Sequence, residues 1–215
     1  MAVEKSQRVL LVVNHLSSGD TDYLYRFIES AGRATAETTL GDDYAALVKL
    51  YGGNATRARF VAALKRAAAQ PTVKRIDVLL MLHGMPGKVY FHDGSAKTDE
   101  LADDIAALNV RSKLRLMYST CCYGDSHSAD WLRAGFDTAI GAKKVNANAA
   151  VELAPLLSLW QFNFKASECL APTIPPTGPN DTVTRAYGRA NQLSWAGDVN
   201  STKVIRGNAN LRIST

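Results

Sequence analysis

Two apolar stretches of the chain lead into side chains that could carry nucleophilic chemistry. The run "DVLLMLHG" ends in His83 and Gly84, and the run "LRLMYSTCCYGD" contains Cys121 and Cys122. Hydrolysis of an amide by a thiol requires a thiolate, a group that moves the proton, and hydrogen-bond donors for the oxyanion. A cysteine, a histidine and the backbone N–H of Gly84 can supply these three functions.

The elements that must hold these residues alternate between strands and helices. Continuous apolar runs predict strands buried on both faces at 8–16, 75–84 and 114–121, and a further strand lies over 138–142. Helical spacing of apolar residues occurs between them, most clearly over 55–69. This alternation predicts an α/β fold with a mostly parallel sheet between two layers of helices, a three-layer αβα sandwich.

Other segments carry weaker patterns. The stretch 35–40 favours a second strand, placed after a helix that ends near Gly32, and 44–51 favours a helix. Residues 171–181 hold four of the seven prolines and predict an extended surface loop. The chain of 215 residues can bury a substantial core, and 1–215 is interpreted as one domain.

The two reactive stretches follow successive core strands of this predicted sheet. Ligands of such folds bind at the carboxyl ends of the strands, so we expect His83 and the cysteines at one edge. Successive residues of a strand point to opposite faces, so only one of the two sulfurs can face the histidine. The other is then a small buried hydrophobe.

The chain resembles the caspase–haemoglobinase fold of cysteine peptidases, which includes caspases, metacaspases, legumains and gingipains. In that family an apolar strand ends in His-Gly, and the next core strand ends in a small residue followed by the nucleophilic cysteine. "DVLLMLHG" and "LRLMYSTCCYGD" match both blocks in that order. The caspase run Gln-Ala-Cys-x-Gly is absent, so a compact bacterial member fits better than a eukaryotic caspase, and aspartate specificity is not implied.

The resemblance implies a cysteine endopeptidase that works through a His-Cys dyad and an acyl-enzyme. His83 would be the catalytic histidine, and the N–H of Gly84 would bind the oxyanion. With Cys121 in the small-residue position, Cys122-Tyr-Gly fits the Cys-x-Gly pattern of caspases. With Cys121 as nucleophile, Cys-x-x-Gly fits legumains and metacaspases. Cys122 is preferred, and Cys121 is the fallback.

The resemblance also suggests residues and partners around this dyad. Asp125, Asn14 and His15 are candidate substrate-binding residues, although Asp125 could instead cap the helix that follows it. The expected partner is a protein or peptide substrate, together with a possible homo-oligomer or regulatory protein. No metal or organic cofactor is implied, and calcium activation, known among metacaspase-like members, is left open. Bacterial relatives often serve regulatory, cell-death or defence pathways.

Composition argues against several other classes of protein. The net charge of +5 comes from scattered basic residues, so nucleic-acid binding is not expected. No apolar run approaches the about 20 residues that span a bilayer, and the polar start "MAVEKSQ" does not resemble a signal peptide. Three cysteines make a disulfide framework improbable and favour a cytoplasmic protein with reduced thiols.

Three other hypotheses use the same residues. A zinc site from His83, Cys121, Cys122 and His127 lacks the usual spacing between ligands. A caspase-like pseudopeptidase or adaptor would use the same face to bind a protein, but it would not need both the His-Gly and the cysteine blocks. A receiver-like scaffold would need acidic residues directly after the first strand, and "NHLSSGDTD" places them too late.

Overall fold

The computed structural model describes residues 2–17 and 23–215. Within these residues one sheet contains all the strands: β1 (Arg8–His15), β2 (Ala46–Tyr51), β3 (Arg75–Met85), β4 (Lys88–Phe91), β5 (Gly94–Lys97), β6 (Leu114–Ser119), β7 (Thr138–Ala142) and β8 (Lys203–Gly207). The α-helices are α1 (Tyr23–Leu40), α2 (Arg57–Ala69), α3 (Thr98–Ala106), α4 (Gly124–Ala134), α5 (Leu153–Gln161), α6 (Ala166–Leu170) and α7 (Ile174–Ala190). In the part of the chain so described, no helix is both long and apolar enough to cross a membrane.

The strands lie in the order β2-β1-β3-β6-β7-β8. Every neighbouring pair from β2 to β7 is parallel, and β8 is antiparallel to β7. The hairpin β4–β5 extends the end of β3 by antiparallel pairing. The carboxyl ends of β1, β3, β6 and β7 therefore lie at one edge of the sheet.

Both faces of the sheet are covered by helices. On β1, Val9 and Leu11 join a core cluster that includes residues of α2, α3 and α4, whereas Leu10 and Val12 join a second cluster with residues of α1, α5 and α6. This alternation is the reason why the strand is apolar at every position. The predicted three-layer αβα architecture with a mostly parallel sheet is confirmed.

The sequence prediction for 35–51 is wrong. Residues 35–40 continue α1 to Leu40, and 44–51 contains β2 instead of a helix. Gly32 does not end the helix. It allows close packing, because a Cβ atom there would lie 2.7 Å from Sδ of Met81. Burial of Ala36 and Leu40 against the second core cluster outweighs the strand preference of the threonines in this stretch.

The prediction of an extended loop over 171–181 is also wrong. A 3-10 turn covers Ala171–Thr173, and α7 begins at Ile174. Pro175 and Pro176 fall in the first turn of the helix, where the backbone N–H groups have no partner within the helix, so proline is tolerated. Pro179 lies inside α7.

Candidate active site

His83 lies near the end of β3, where this strand pairs with Tyr90 of the hairpin. Its Nε2 is 2.6 Å from the carbonyl oxygen of Leu16. A carbonyl oxygen can only accept, so Nε2 carries the hydrogen, and Nδ1 of the neutral ring keeps a lone pair that can take a proton. Tyr25 packs on the imidazole in a T-shaped contact with ring centroids 4.6 Å apart. The two contacts together hold the ring in one orientation.

Cys122 lies in the turn between β6 and α4 and is half-buried. Its Sγ accepts a hydrogen bond from the backbone N–H of Asn146, at 3.4 Å. Burial raises the pKa of this thiol above its ordinary value, although the Asn146 N–H and the nearby ammonium of Lys203 act in the opposite direction. The sulfur is therefore protonated at neutral pH, and it needs a base to become a nucleophile.

Cys121 has a different environment from its neighbour. Its side chain is fully buried and belongs to the core cluster beneath α2, α3 and α4. Its Sγ lies 3.8 Å from the carbonyl oxygen of Leu80, and burial raises its pKa to about 11. A thiol in these surroundings behaves as a small hydrophobe, as most buried free cysteines do.

Gly84 is the point at which the two strand ends meet. A Cβ atom on Gly84 would overlap the carbonyl oxygen of Cys122 and would lie 2.9 Å from Cβ of Cys121. The position therefore requires glycine for steric reasons. The backbone of the residue after His83 is in direct contact with the backbone of the cysteine pair.

Tyr123 makes the sharp turn that follows Cys122. It has φ 57° and ψ 23°, a left-handed conformation that costs a non-glycine residue on the order of 1–3 kcal/mol. Its N–H donates to the carbonyl of Lys144 at 2.7 Å, and its hydroxyl donates to Asp198 at 3.0 Å. Helix α4 begins at the next residue, Gly124, so Cys122 lies beside the positive end of a helix dipole, which acts against the rise in its pKa without reversing it.

His83, Gly84 and Cys122 line one cavity of about 610 Å³. Ligand sites in proteins usually enclose about 300–1,000 Å³, so there is room for a peptide side chain and part of its backbone. The other lining residues are Leu16, Tyr25, Phe27, Ile28, Leu82, Met85, Thr120, Tyr123, Val145, Asn146, Ala147, Ala149, Ala150, Thr184, Ser194, Trp195 and Asp198.

The three residues that the sequence suggested for substrate binding are not among those that line this cavity. Asp125 forms an ion pair with Arg206, with 3.0 Å between Oδ1 and Nε. Asn14 is buried and donates to the carbonyl of Glu29 at 2.9 Å. The ring of His15 packs edge-on against another histidine ring, with 5.1 Å between the ring centroids. Each of the three has a contact elsewhere in the fold.

The zinc hypothesis finds no support in the described residues. Across 2–17 and 23–215, no cluster of three or more His, Cys, Asp or Glu side chains is arranged to hold a metal ion. His127 is buried, and its Nε2 lies 2.7 Å from the carbonyl oxygen of Met85.

The fold can be compared with solved structures. Caspase-1 from Spodoptera frugiperda superimposes with a TM-score of 0.54 at 11% sequence identity, over 95% of this chain and 88% of the caspase. The chain has a caspase-like fold. A secreted C11 cysteine protease from Bacteroides thetaiotaomicron, iotapain, is 15% identical with a TM-score of 0.46, and the match covers 70% of this chain and 56% of the protease. No family model and no curated protein sequence matches the chain.

Several residues around this cavity were missed in the sequence. The Leu16 carbonyl and Asn146 follow β1 and β7, and the rule that parallel strand ends share one edge could have indicated them. Trp195 and Asp198 lie in the distant segment Ser194–Asp198. Their approach to the cavity depends on how α7 packs, and no local pattern signals it.

Proposed function

We propose that this chain is a cysteine endopeptidase that cleaves protein or peptide substrates with Cys122 as nucleophile and His83 as its proton shuttle. The observation that supports this proposal most is the placement of both side chains on one cavity at the carboxyl edge of the parallel sheet. Cys121, the alternative nucleophile, lies in the core.

The orientation of His83 suits this role. Because the Leu16 carbonyl holds Nε2–H, Nδ1 can accept the proton of the Cys122 thiol as the sulfur attacks the substrate carbonyl carbon. The N–H groups of Gly84 and Cys122 are the proposed donors to the oxyanion.

The remaining steps return the site to its starting state. The scissile C–N bond breaks, His83 passes the proton to the leaving amine, and the acyl group stays on Cys122 as a thioester. Water then adds to the thioester with His83 as base, the carboxylic acid product leaves, and the sulfur regains its proton. In this mechanism the Leu16 carbonyl orients the imidazole, as the carboxylate does in a Ser-His-Asp triad.

Covalent labelling tests the proposal directly. Peptide acyloxymethyl ketones that differ in the residue next to the reactive group would be incubated with wild type, with and without calcium, and modification would be read by intact and peptide mass. We expect the label on Cys122, loss of labelling in Cys122→Ala, and a labelling rate at least about 100-fold lower in His83→Ala. Cys121→Ala is the matched control and should label normally.

Two outcomes would change the assignment. A label that disappears in Cys121→Ala and persists in Cys122→Ala would keep the peptidase and move the nucleophile by one residue. A folded wild type that no ketone labels, with or without calcium, would contradict the peptidase and favour a caspase-like binding module.

A further inference from the structure

The walls around Cys122 are mainly apolar and come from separate parts of the fold. Phe27 and Ile28 belong to α1, Val145 follows β7, and Trp195 lies after α7. Other apolar lining residues are Leu16, Leu82, Met85, Ala147, Ala149 and Ala150. Phe27 is 64% exposed and Met85 is 52% exposed. Large apolar side chains left in water at a cavity are typical of a surface that binds an apolar group.

The side chain of Asn146, the residue whose backbone N–H reaches the sulfur, is already engaged. Nδ2 of Asn146 donates to the carbonyl of Thr120 at 2.9 Å and to Glu152 at 3.2 Å, which uses both of its hydrogens. Its Oδ1 accepts the backbone N–H of Asn148 at 3.0 Å. The amide therefore braces the loop after β7 and has no donor left for a polar side chain of a substrate.

Asp198 is the carboxylate among the described lining residues, and it too is engaged. It accepts from the hydroxyl of Tyr123 at 3.0 Å and pairs with Nζ of Lys144 at 2.6 Å. These hydrogen bonds lower the pKa of Asp198, so the group is ionised at neutral pH. Its negative charge repels an acidic side chain in the cavity, and its pairing with Lys144 already offsets part of the charge that would attract a basic one.

We propose that this cavity selects an uncharged, apolar side chain, of the size of Leu, Met or Phe, for the residue that precedes the cut. The inference rests on the proposed function and adds the substrate class. An apolar side chain gains contact with Val145, Trp195 and Phe27. A charged side chain gives up its hydration without receiving an unengaged partner of opposite charge from the described lining residues.

The test compares rates of cleavage. Six peptidyl aminocoumarins that are identical except for Leu, Met, Phe, Asp, Arg or Lys before the scissile amide would be used with wild type, and Cys122→Ala would give the background. We expect kcat/KM for the best apolar substrate to exceed that for Asp, Arg and Lys by at least about tenfold. This is the scale on which hydrophobic pockets discriminate between side chains.

Paired variants locate the selectivity in the cavity. Phe27→Ala should raise KM for the apolar substrates several-fold. Phe162→Ala is the matched control: Phe162 is 73% exposed and does not line the cavity, so KM should not change. Val145→Lys, which adds a cation to the wall, should raise kcat/KM for the Asp substrate relative to the Leu substrate.

The outcomes separate the two levels of inference. Cleavage after Asp, Arg or Lys at least as fast as after Leu, Met and Phe would overturn the apolar selectivity and leave the peptidase standing. Equal effects of Phe27→Ala and Phe162→Ala would also overturn it. Absence of Cys122-dependent cleavage of all six peptides, together with absence of labelling by the ketones, would overturn the proposed peptidase and the selectivity with it.

Discussion

At the scale of single residues, the two adjacent cysteines differ because their environments differ. Cys121 is enclosed by the core, and Cys122 lines a cavity and accepts an N–H from Asn146. Both thiols have a raised pKa, and burial is the largest cause for each. Neither is a preformed thiolate at neutral pH, so reactivity depends on a base. His83, which lines the same cavity as Cys122, is the candidate.

The pH dependence of alkylation follows from these pKa shifts. Only the thiolate reacts, and a pKa above the ordinary value means that the thiolate fraction of Cys122 keeps growing as pH rises through the alkaline range. The rate of modification by iodoacetamide should therefore rise about tenfold per pH unit from about pH 7 to pH 9. Peptide mass mapping would follow Cys122 apart from Cys121 and Cys169. A rate that is already constant below pH 7 would contradict the raised pKa.

A substitution at Gly84 tests the close approach of the two strand ends. Gly84→Ala places a methyl group on the Cys122 carbonyl, so it should lower the free energy of unfolding by about 1–3 kcal/mol and slow ketone labelling. Gly178→Ala is the matched control, since nothing lies within 4 Å of its added Cβ and the residue is helical. Urea denaturation and labelling rates would check both. Normal labelling of Gly84→Ala would argue against a close approach of the two strand ends.

At the scale of elements, the site is built where strands of a parallel sheet end. β3 supplies His83, the turn from β6 to α4 supplies Cys122, and the loop after β7 supplies Asn146. The strained turn at Tyr123 is held by hydrogen bonds to that loop and to the segment 194–198. Segments that are far apart in sequence thus determine where the sulfur lies.

A substitution in the loop after β7 should accordingly change the reactivity of the Cys122 thiol without changing His83 itself. Asn146→Ala removes the side-chain hydrogen bonds to Thr120, Glu152 and Asn148 and keeps the backbone N–H that reaches Cys122. We expect a loss of about 1–3 kcal/mol in unfolding free energy and a lower rate of ketone labelling. Asn191→Ala, at an exposed site, should change neither. If Asn146→Ala is labelled at the wild-type rate, the loop does not position the sulfur.

At the scale of the whole molecule, a buried polar network joins distant parts of the chain. Arg115 of β6 pairs with Asp77 of β3 and donates to the carbonyl of Thr215 at 2.8 Å. The hydroxyl of Tyr44 donates to Asp77 at 2.6 Å, and the indole N–H of Trp160 donates to that hydroxyl at 3.1 Å. The network fixes the segment at Thr215 and α5 to the centre of the sheet.

Breaking this network should be costly. Asp77→Ala leaves the guanidinium of Arg115 buried without its carboxylate, and we expect a loss of about 3–5 kcal/mol in unfolding free energy. Asp103→Ala removes an exposed ion pair with Arg133 and should cost no more than about 1 kcal/mol. Urea denaturation of both variants gives the comparison. Similar losses for the two would show that the Asp77 pair is not desolvated.

The sequence by itself determined the fold class and the two strand ends. Continuous apolar runs that alternate with amphipathic helical segments are typical of strands buried on both faces, and such strands need helices on each side of a parallel sheet. The histidine and the cysteine pair follow such runs, so a shared edge was predictable. The structures of residues 35–51 and 171–181 were not predictable, because the local preferences of both segments are weak. The packing of Ala36 and Leu40 decides the structure of the first segment, and the tolerance of proline in a first helical turn decides that of the second.

Only the tertiary structure decided which sulfur lies in the core and which lines the cavity. Strand alternation does not decide it, because β6 ends at Ser119 and both cysteines follow it; the burial of Cys121 in the core beneath α2, α3 and α4 does. Three other features are likewise long-range: the contact of the Leu16 carbonyl with His83, the hydrogen bond from the Asn146 N–H to Cys122, and the approach of Trp195 to the cavity. Such contacts arise when elements distant in sequence pack together. Local periodicity determines the elements, and burial between them determines which atoms meet.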